Sequence, residues 1–345
     1  MSRQQIQQII NGLFILMIGL GMTGCIEEIT FDTERSAGQL VVDGGITDQP
    51  GPHKLQLSLT SGNNTMREPV RGASVVITDG DGNTEDYIEL EDGTYLLMGE
   101  TVQGERGQSY SVEISLPDGK QYRSVPETIP LAVAKDSSYF ELGTVDERQS
   151  TGRIVERDAV MIYADTELPD QAEPVYLKWE VESMYGFRET ERNNPFNPTQ
   201  TCNLSQPVEP QKITLFASPD SDTKTIEKNL LGIKEYVSHE FYRPHHFSVI
   251  VSSITESRYE YWNQVDEIVN STGTIFDVPP AVVKGNVFNV DDENEQVFGY
   301  FETAVVDTSR FHVLRSDFPF FIPNPCGLNS LYTHDACDRC SELEE

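Results

Sequence analysis

Basic residues are scarce. The 345-residue chain carries 25 lysines and arginines against 56 aspartates and glutamates, a formal net charge of −31. Such a surface repels nucleic acid and anionic lipid and attracts cations or basic partners, so nucleic-acid binding is excluded. The plainer reading is a solubilising acidic coat on an exported protein. Cysteine and tryptophan are also rare, with five and two residues. No Gly-x-Ser-x-Gly elbow, phosphate loop or dinucleotide-binding βαβ unit is present. No apolar run matches the about 20 residues of a comfortable transmembrane helix. The longest, from Ile9 to Met22, is short and broken by glycine.

That run has the length of a signal h-region, and Arg3 supplies a thin positive start. It ends in Thr23-Gly24-Cys25, small residues before a cysteine. The reading is a lipoprotein leader, residues 1–24, with Cys25 the first mature residue and acylated; Met22 stands where Leu is usual. The alternative is an uncleaved signal anchor with Cys25 a plain thiol. Several acyl chains, at about 0.8 kcal/mol per buried CH₂, hold a protein on a bilayer where one chain would not. Position two is Ile26 rather than Asp, so nothing signals inner-membrane retention. The pair Glu27-Glu28 resembles the export signal of surface-displayed lipoproteins, or else solvates a tether.

Residues 25–36 read as that lipidated tether. From 37 to 130, short strands recur: Leu40–Gly44 closed by a turn, the alternating His53–Leu59, Ala73–Thr78, Gly93–Leu97, Ser109–Leu116 and Gln121–Ser124. Asp79-Gly80-Asp81-Gly82-Asn83 is hairpin-turn material. About seven strands at this spacing predict an Ig-like or prealbumin-like β-sandwich. A second β-rich domain with one or two short helices is expected over 131–322. Its strands include Ser138–Leu142, Asp158–Ala164, Val175–Val181 with Val175, Leu177, Trp179 and Val181 on one face, and His246–Val251. Further strands are expected at Ala281–Val283, Val297–Phe301 and Arg310–Leu314, with a long loop over 190–211. Ser257 is the expected N-cap of a helix, with Glu260 completing a capping box; Tyr261, Val265 and Ile268 recur on one face, and Gly273 ends it. Residues 323–345 form a cysteine-containing tail.

Three groups of residues carry a resemblance. The first is Leu40-Val41-Val42-Asp43-Gly44 with Val70-Arg71-Gly72-Ala73-Ser74-Val75 and Gly93-Thr94-Tyr95. The second and most specific is Gly273-Thr274-Ile275-Phe276-Asp277, Pro280, Gly285-Asn286-Val287-Phe288-Asn289 and Val297-Phe298-Gly299-Tyr300-Phe301. The third is Cys337-Asp338-Arg339-Cys340. Together they resemble the domain-of-unknown-function 4249 family of Bacteroidota outer-membrane lipoproteins. The resemblance implies an outer-membrane lipoprotein, often paired genetically with a TonB-dependent receptor, and implies no known chemistry. The tail departs from the family pattern, because no Gly-Gly and aromatic terminus follows Cys340.

Candidate sites are few. With Cys25 acylated, Cys202, Cys326, Cys337 and Cys340 remain, an even number for an oxidising compartment. Four cysteines permit three pairings; the expectation is one bridge from Cys202 to the tail and one within it. A zinc knuckle from Cys326, His334, Cys337 and Cys340 is disfavoured, because only one C-x-x-C is present. Asp79, Asp81 and Asn83 imitate a calcium loop, but Thr84 and Leu90 stand where it needs Gly and Glu, which leaves at most a looser site using Glu89 or Glu91. His239-Glu240 does not continue into a zincin motif, and His245 and His246 point to opposite faces of a strand. No metal and no cofactor is expected. Trp179 and Trp262 read as core, and Tyr185-Gly186-Phe187 as an exposed recognition edge. The functional expectation is a lipid-anchored, non-enzymatic binding or accessory partner of a TonB-dependent transporter in the outer membrane, facing the exterior. A structural or adhesive role and a hydrolase with an unrecognised site are the alternatives.

Overall fold

A computed structural model describes residues 38–61, 67–131, 134–148, 152–170, 173–188, 201–208, 212–220, 223–237, 239–270 and 283–322. The chain is mainly β. Its first part runs β1 Leu40–Thr47, β2 His53–Leu59, β3 Glu68–Pro69, β4 Ser74–Asp79, β5 Thr84–Asp86, β6 Ile88–Glu91, β7 Thr94–Leu97, β8 Ser109–Ser115, β9 Gln121–Ser124 and β10 Glu127–Thr128. Then come β11 Lys135–Arg148, β12 Ile154–Glu167, β13 Tyr176–Arg188, β14 Thr201–Pro207, β15 Thr214–Ala217, β16 Thr225–Glu235, β17 His245–Ile254, helix α1 Glu256–Asn270, β18 Val287–Asn289 and β19 Phe298–Val313. Among the described residues no helix is long and apolar enough to cross a membrane.

One ten-stranded sheet runs through the molecule in the order β14-β13-β17-β19-β1-β2-β7-β6, with β15 on β13 and β3 on β2. A six-stranded sheet, β18-β9-β8-β4-β5 with β10 on β8, and a three-stranded sheet, β11-β12-β16, complete it. Side chains alternate along a strand. Phe301, Val305, Phe311 and Val313 therefore share one face of β19. Phe301 and Val305 enter one core with Leu40, Val42, Leu55, Leu57, Val112 and Ile114. Val313 enters another with Leu177, Trp179, Val181, Phe247, Val249 and Ile162, and Phe311 packs against it. Both smaller sheets thus lie side by side on one face of the long sheet, giving two sandwiches with a common wall. The alternating strand Val175–Val181 buries Leu177, Trp179 and Val181 as its periodicity requires.

The expected strands Val297–Phe301 and Arg310–Leu314 are two ends of the single β19. The break expected between them is absent, since Asp307, Thr308 and Ser309 continue the ladder opposite Val251, Ile250 and Val249. Near its start β19 pairs in parallel with β1, from Val41 opposite Phe298 to Thr47 opposite Ala304. A cut at residue 130 consequently leaves out two strands of the first sandwich, β18 and the first half of β19. The turn expected to close Leu40–Gly44 is likewise absent: β1 runs on through Gly45 to Thr47, and a Cβ on Gly45 would lie 1.9 Å from the Glu302 carbonyl oxygen. The region expected as a loop over 190–211 contains β14, paired with β13 from Glu182 to Arg188. Strands β15 and β16 carry no clean alternation and were not expected. At 281–289 the strand is Val287–Asn289, and residues 281–282 lie outside the described residues.

The segment before β19 is clasped to it. A Cβ on Gly285 would overlap the Gly299 carbonyl oxygen at 1.8 Å, so these backbones touch. Asn286 is buried, donates Nδ2–H to the Phe301 carbonyl at 2.8 Å and accepts the Phe301 N–H on Oδ1 at 2.9 Å. Its amide stands in for a strand on the edge that β1 does not reach. The other early family stretches meet in a similar knot, where the buried Tyr95 hydroxyl donates to the Val70 carbonyl and accepts from the Ala73 N–H.

Gly299 tests this construction. It has φ +80°, and a Cβ there would sit 1.9 Å from the Val42 oxygen, whereas Gly82 has φ +89° with open space around it. Gly299→Ala should cost roughly 3 kcal/mol or more, through backbone overlap on top of the left-handed penalty. Gly82→Ala should cost only about 1–2 kcal/mol, the left-handed term alone. Urea midpoints at constant slope measure both.

Candidate functional site

Helix α1 lies on the face of the long sheet opposite the two cores. Its N-cap is Thr255, two residues before the expected Ser257: the Thr255 hydroxyl accepts the Arg258 N–H at 3.2 Å. The residue at the third helical position is then Arg258, so there is no capping box. Ser257 is freed for a different role. With the Thr255 hydroxyl it donates to the buried Glu127 carboxylate, at 2.8 and 2.7 Å. The Tyr300 hydroxyl donates to the same carboxylate. Burial, reinforced by that bond to Glu127, raises the Tyr300 phenol far above its ordinary range. Glu127 thereby ties the start of the helix, where a negative charge is favoured, to β10 and β19.

Arg258, Tyr261, Trp262, Val265 and Ile268 follow at helical spacing and turn one stripe toward the sheet. The opposing wall comes from Val41 and Asp43 of β1 and Phe298, Gly299 and Tyr300 of β19. Between them is a cavity of about 590 Å³, with Arg67 and Val283 at its margin. Arg258 is its centre. The guanidinium lies 4.7 Å from the ring centres of Trp262 and Tyr300 and 5.0 Å from that of Tyr261, and Nη2 donates to Glu302 at 2.8 Å. Lys178 of β13 sits 4.2 Å over Trp262 and pairs with Glu180 at 2.7 Å. Burial alone would raise the Glu302 carboxyl, but Arg258 and Lys178 outweigh it and hold the group below the usual carboxylate range. The Nε–H of Arg258 and the indole N–H of Trp262 are buried and have no hydrogen-bond acceptor among the described residues. Trp179 is core as expected, its indole N–H donating to Asp136 at 2.9 Å. Trp262 is instead a half-buried wall of this cavity.

The remaining candidates fall elsewhere. Tyr185 is not at an exposed edge: β14 pairs outside β13, and Tyr185 is 6 % exposed, its ring against His239 and His245. Burial, with Glu240 nearby, pushes its phenol up to about 12. The alternation of Trp179 and Val181, extended through Ser183, is the signal that puts it inward. Phe187 stands opposite Cys202 in the β13–β14 register. Cys25, Cys326, Cys337 and Cys340 lie outside the described residues, as does Gly273. Asp79 organises the β4–β5 hairpin, accepting from the Asp81 and Asn83 N–H groups and from the Asn83 amide. Glu89 accepts the Gly72 N–H at 2.9 Å, and Glu91 is exposed. Among the described residues no group of three or more His, Cys, Asp or Glu is placed to hold a metal. What the sequence reading missed is Arg258: a buried cation on a helix looks like any surface arginine until the aromatic stripe at +3 and +4 is read as its seat.

The model of the family described as "Domain of unknown function (DUF4249)" matches residues 26–310. The chain belongs to this family. No curated protein matches it. The match spans the clasp residues Asn286, Gly299 and Phe301 and equally the cavity residues Arg258 and Trp262, and it assigns a role to none of them.

His245 gives this half of the protein a pH dependence. It is fully buried, stacked 4.6 Å from Phe247, with both ring nitrogens unpartnered. Burial, then Lys234 and His246, lower it to about 3. Because the folded value lies below the unfolded one, its stability contribution is complete above about pH 6.5 and is lost as pH falls toward 3. At pH 5 the loss is about 2 kcal/mol. Asp136, raised to about 6 by burial and by Asp307, acts in the opposite sense over an overlapping window. His245→Phe leaves Asp136 in place. The drop in unfolding free energy between pH 7.5 and 5 should therefore be about 2 kcal/mol smaller in the variant, as read from urea curves at the two pH values.

Proposed function

We propose that this protein is a lipid-anchored, non-enzymatic binding or accessory component of the outer membrane, serving a TonB-dependent transporter from the outer surface. The observation that carries the anchoring is the Leu13–Gly24 run ending at Cys25, with Glu27-Glu28 behind it. Membership in the 4249 family supports the envelope address. The binding role is supported by the helix-roofed cavity, whose size suits a small ligand. A hydrolase is disfavoured because, among the described residues, the cavity wall offers one carboxylate, Asp43, where paired general acid and base work calls for two groups. The Glu127 carboxylate is already committed to three hydroxyls. An adhesive role has one observation of its own, the edge strand β6, on which Ile88 and Leu90 are 59 % and 64 % exposed. The reading includes a disulfide from Cys202 to a tail cysteine and a second within the tail.

In cells of its source, Cys25→Ser should move the protein out of the membrane fraction. Gentle detergent extraction of the unaltered protein should bring an outer-membrane barrel with it. Reproducible absence of a barrel from membranes that retain the lipoprotein would count against the accessory role, and survival of the protein under protease shaving of intact cells would sink surface display.

A further inference from the structure

Away from α1, the same face of the long sheet carries a row of exposed side chains at one level. Met184 of β13 stands opposite His246 of β17, and His246 stands opposite His312 of β19. Residues paired in this way point to the same side of a sheet, with Cβ atoms about 4.5–5.5 Å apart. All three are exposed, Met184 at 41 %. Three features set the row apart from an ordinary sheet surface. The first is spacing. A metal ion lies about 2.0–2.1 Å from an imidazole nitrogen, and that nitrogen ~1 Å from its ring centre, so two imidazoles on one ion have centres roughly 5–6 Å apart. The ring centres of His246 and His312 are 5.9 Å apart. The second is availability. Among the described residues neither imidazole has a hydrogen-bond or ion-pair partner. The third is ligand type. In a chain with 56 acidic residues, the row consists of two imidazoles and a thioether. The next rung on this face holds one carboxylate, Glu182, and with it Ser248 and Arg310.

We propose that His246, His312 and Met184 form a binding site for a single copper(I) ion, held by one nitrogen of each imidazole and by the Met184 sulfur. Thioether sulfur is a soft ligand that selects copper(I), and imidazole suits copper as well. Magnesium, calcium and manganese call instead for carboxylate and carbonyl oxygens. Zinc is the nearest competitor, since imidazole suits it too. Three neutral ligands leave the charge of the ion uncompensated, which favours a monovalent ion over a divalent one, and Arg310 on the next rung adds to that preference. The two imidazoles stand on paired strands, so the ladder fixes their spacing. Met184, with three rotatable bonds, brings its sulfur to the ion. The site goes beyond the accessory role proposed above and requires neither that role nor the cavity under α1.

The mature chain is titrated with copper(I) under anaerobic conditions against a chromophoric copper(I) chelator. Free thiols are first blocked with N-ethylmaleimide, so that cysteine does not compete. One equivalent should bind. His246→Gln and His312→Gln should each abolish that equivalent with no change in melting temperature, because both side chains are exposed. Met184→Leu, which keeps the apolar bulk, should weaken copper(I) about tenfold and leave zinc(II) unaffected. X-ray absorption at the copper edge of the loaded chain should show nitrogen ligands and one sulfur. An equivalent of copper(I) that survives either histidine variant, or no copper(I) bound by the folded chain, overturns the site. Zinc(II) held more tightly than copper(I), no sulfur at the copper edge, or Met184→Leu without effect overturns the copper assignment while leaving a histidine metal site. None of these results bears on whether a barrel co-purifies.

Discussion

The parallel pairing of β1 with the first half of β19 is the contact on which the architecture turns. It brings residues 41–47 against residues 298–304, a loop closure over most of the chain whose entropy must be met by local contacts that are very close. Glycine makes them so. Gly45 against Glu302, Gly299 against Val42 and Gly285 against Gly299 are all positions where a Cβ would collide with a carbonyl oxygen. Once seated, β19 supplies a wall to each of two cores, Phe301 and Val305 to one and Val313 to the other. The two sandwiches are for this reason coupled through a covalent strand as well as through packing. Damage at Gly299 is expected to reach both.

The same strand decides what the opposite face can do. Because odd residues of β19 face the cores, Tyr300 and Glu302 face α1, and there they meet Arg258. A buried guanidinium is costly unless charge and hydrogen bonds compensate it. Here Glu302 supplies the charge, and three aromatic faces supply quadrupoles that favour a desolvated cation. That arrangement stabilises the helix against the sheet while leaving one N–H idle. Glu127 works from the other side, gathering three hydroxyls at the start of the helix. α1 is thus pinned at its N-terminal turn.

Much of the scaffold was legible. Strict alternation in His53–Leu59 and Val175–Val181 placed Leu55, Leu57, Leu177, Trp179 and Val181 inward, and all are buried. The helix was legible from Tyr261, Val265 and Ile268, although Thr255 rather than Ser257 caps it. The failures have physical causes. Gly44-Gly45 has the composition of a closing turn, and the close approach of a distant strand makes it extended. Asp307-Thr308-Ser309 also reads as a break, yet tertiary pairing on β17 carries it through. Strand propensity is a statement about neighbours as much as about residues. Tyr185 was placed outward because a polar loop follows it, but β14 returns from that loop to cover its strand. The cavity was the least legible part, since its walls come from β1, β19 and α1, and no local pattern announces a juxtaposition of that kind.

The stretches that carry the family resemblance also reach the cavity, through Val41, Asp43, Phe298 and Tyr300. The stretches that carry the resemblance, Gly285-Asn286-Val287 and Phe298-Gly299-Tyr300-Phe301, build the clasp: Asn286 replaces a missing strand at Phe301, and the glycines allow the backbones to touch. Arg258, Trp262 and Arg67 belong to none of those stretches. A fold can host unrelated functions, and function must be argued from the site. In this chain the cavity is shared, with Arg258, Trp262 and Val265 from α1 and Val41, Asp43, Phe298 and Tyr300 from the sheet that the clasp holds together. Change at Arg67 or Val265 should alter what the cavity accepts while the pairing of β1 with β19 persists.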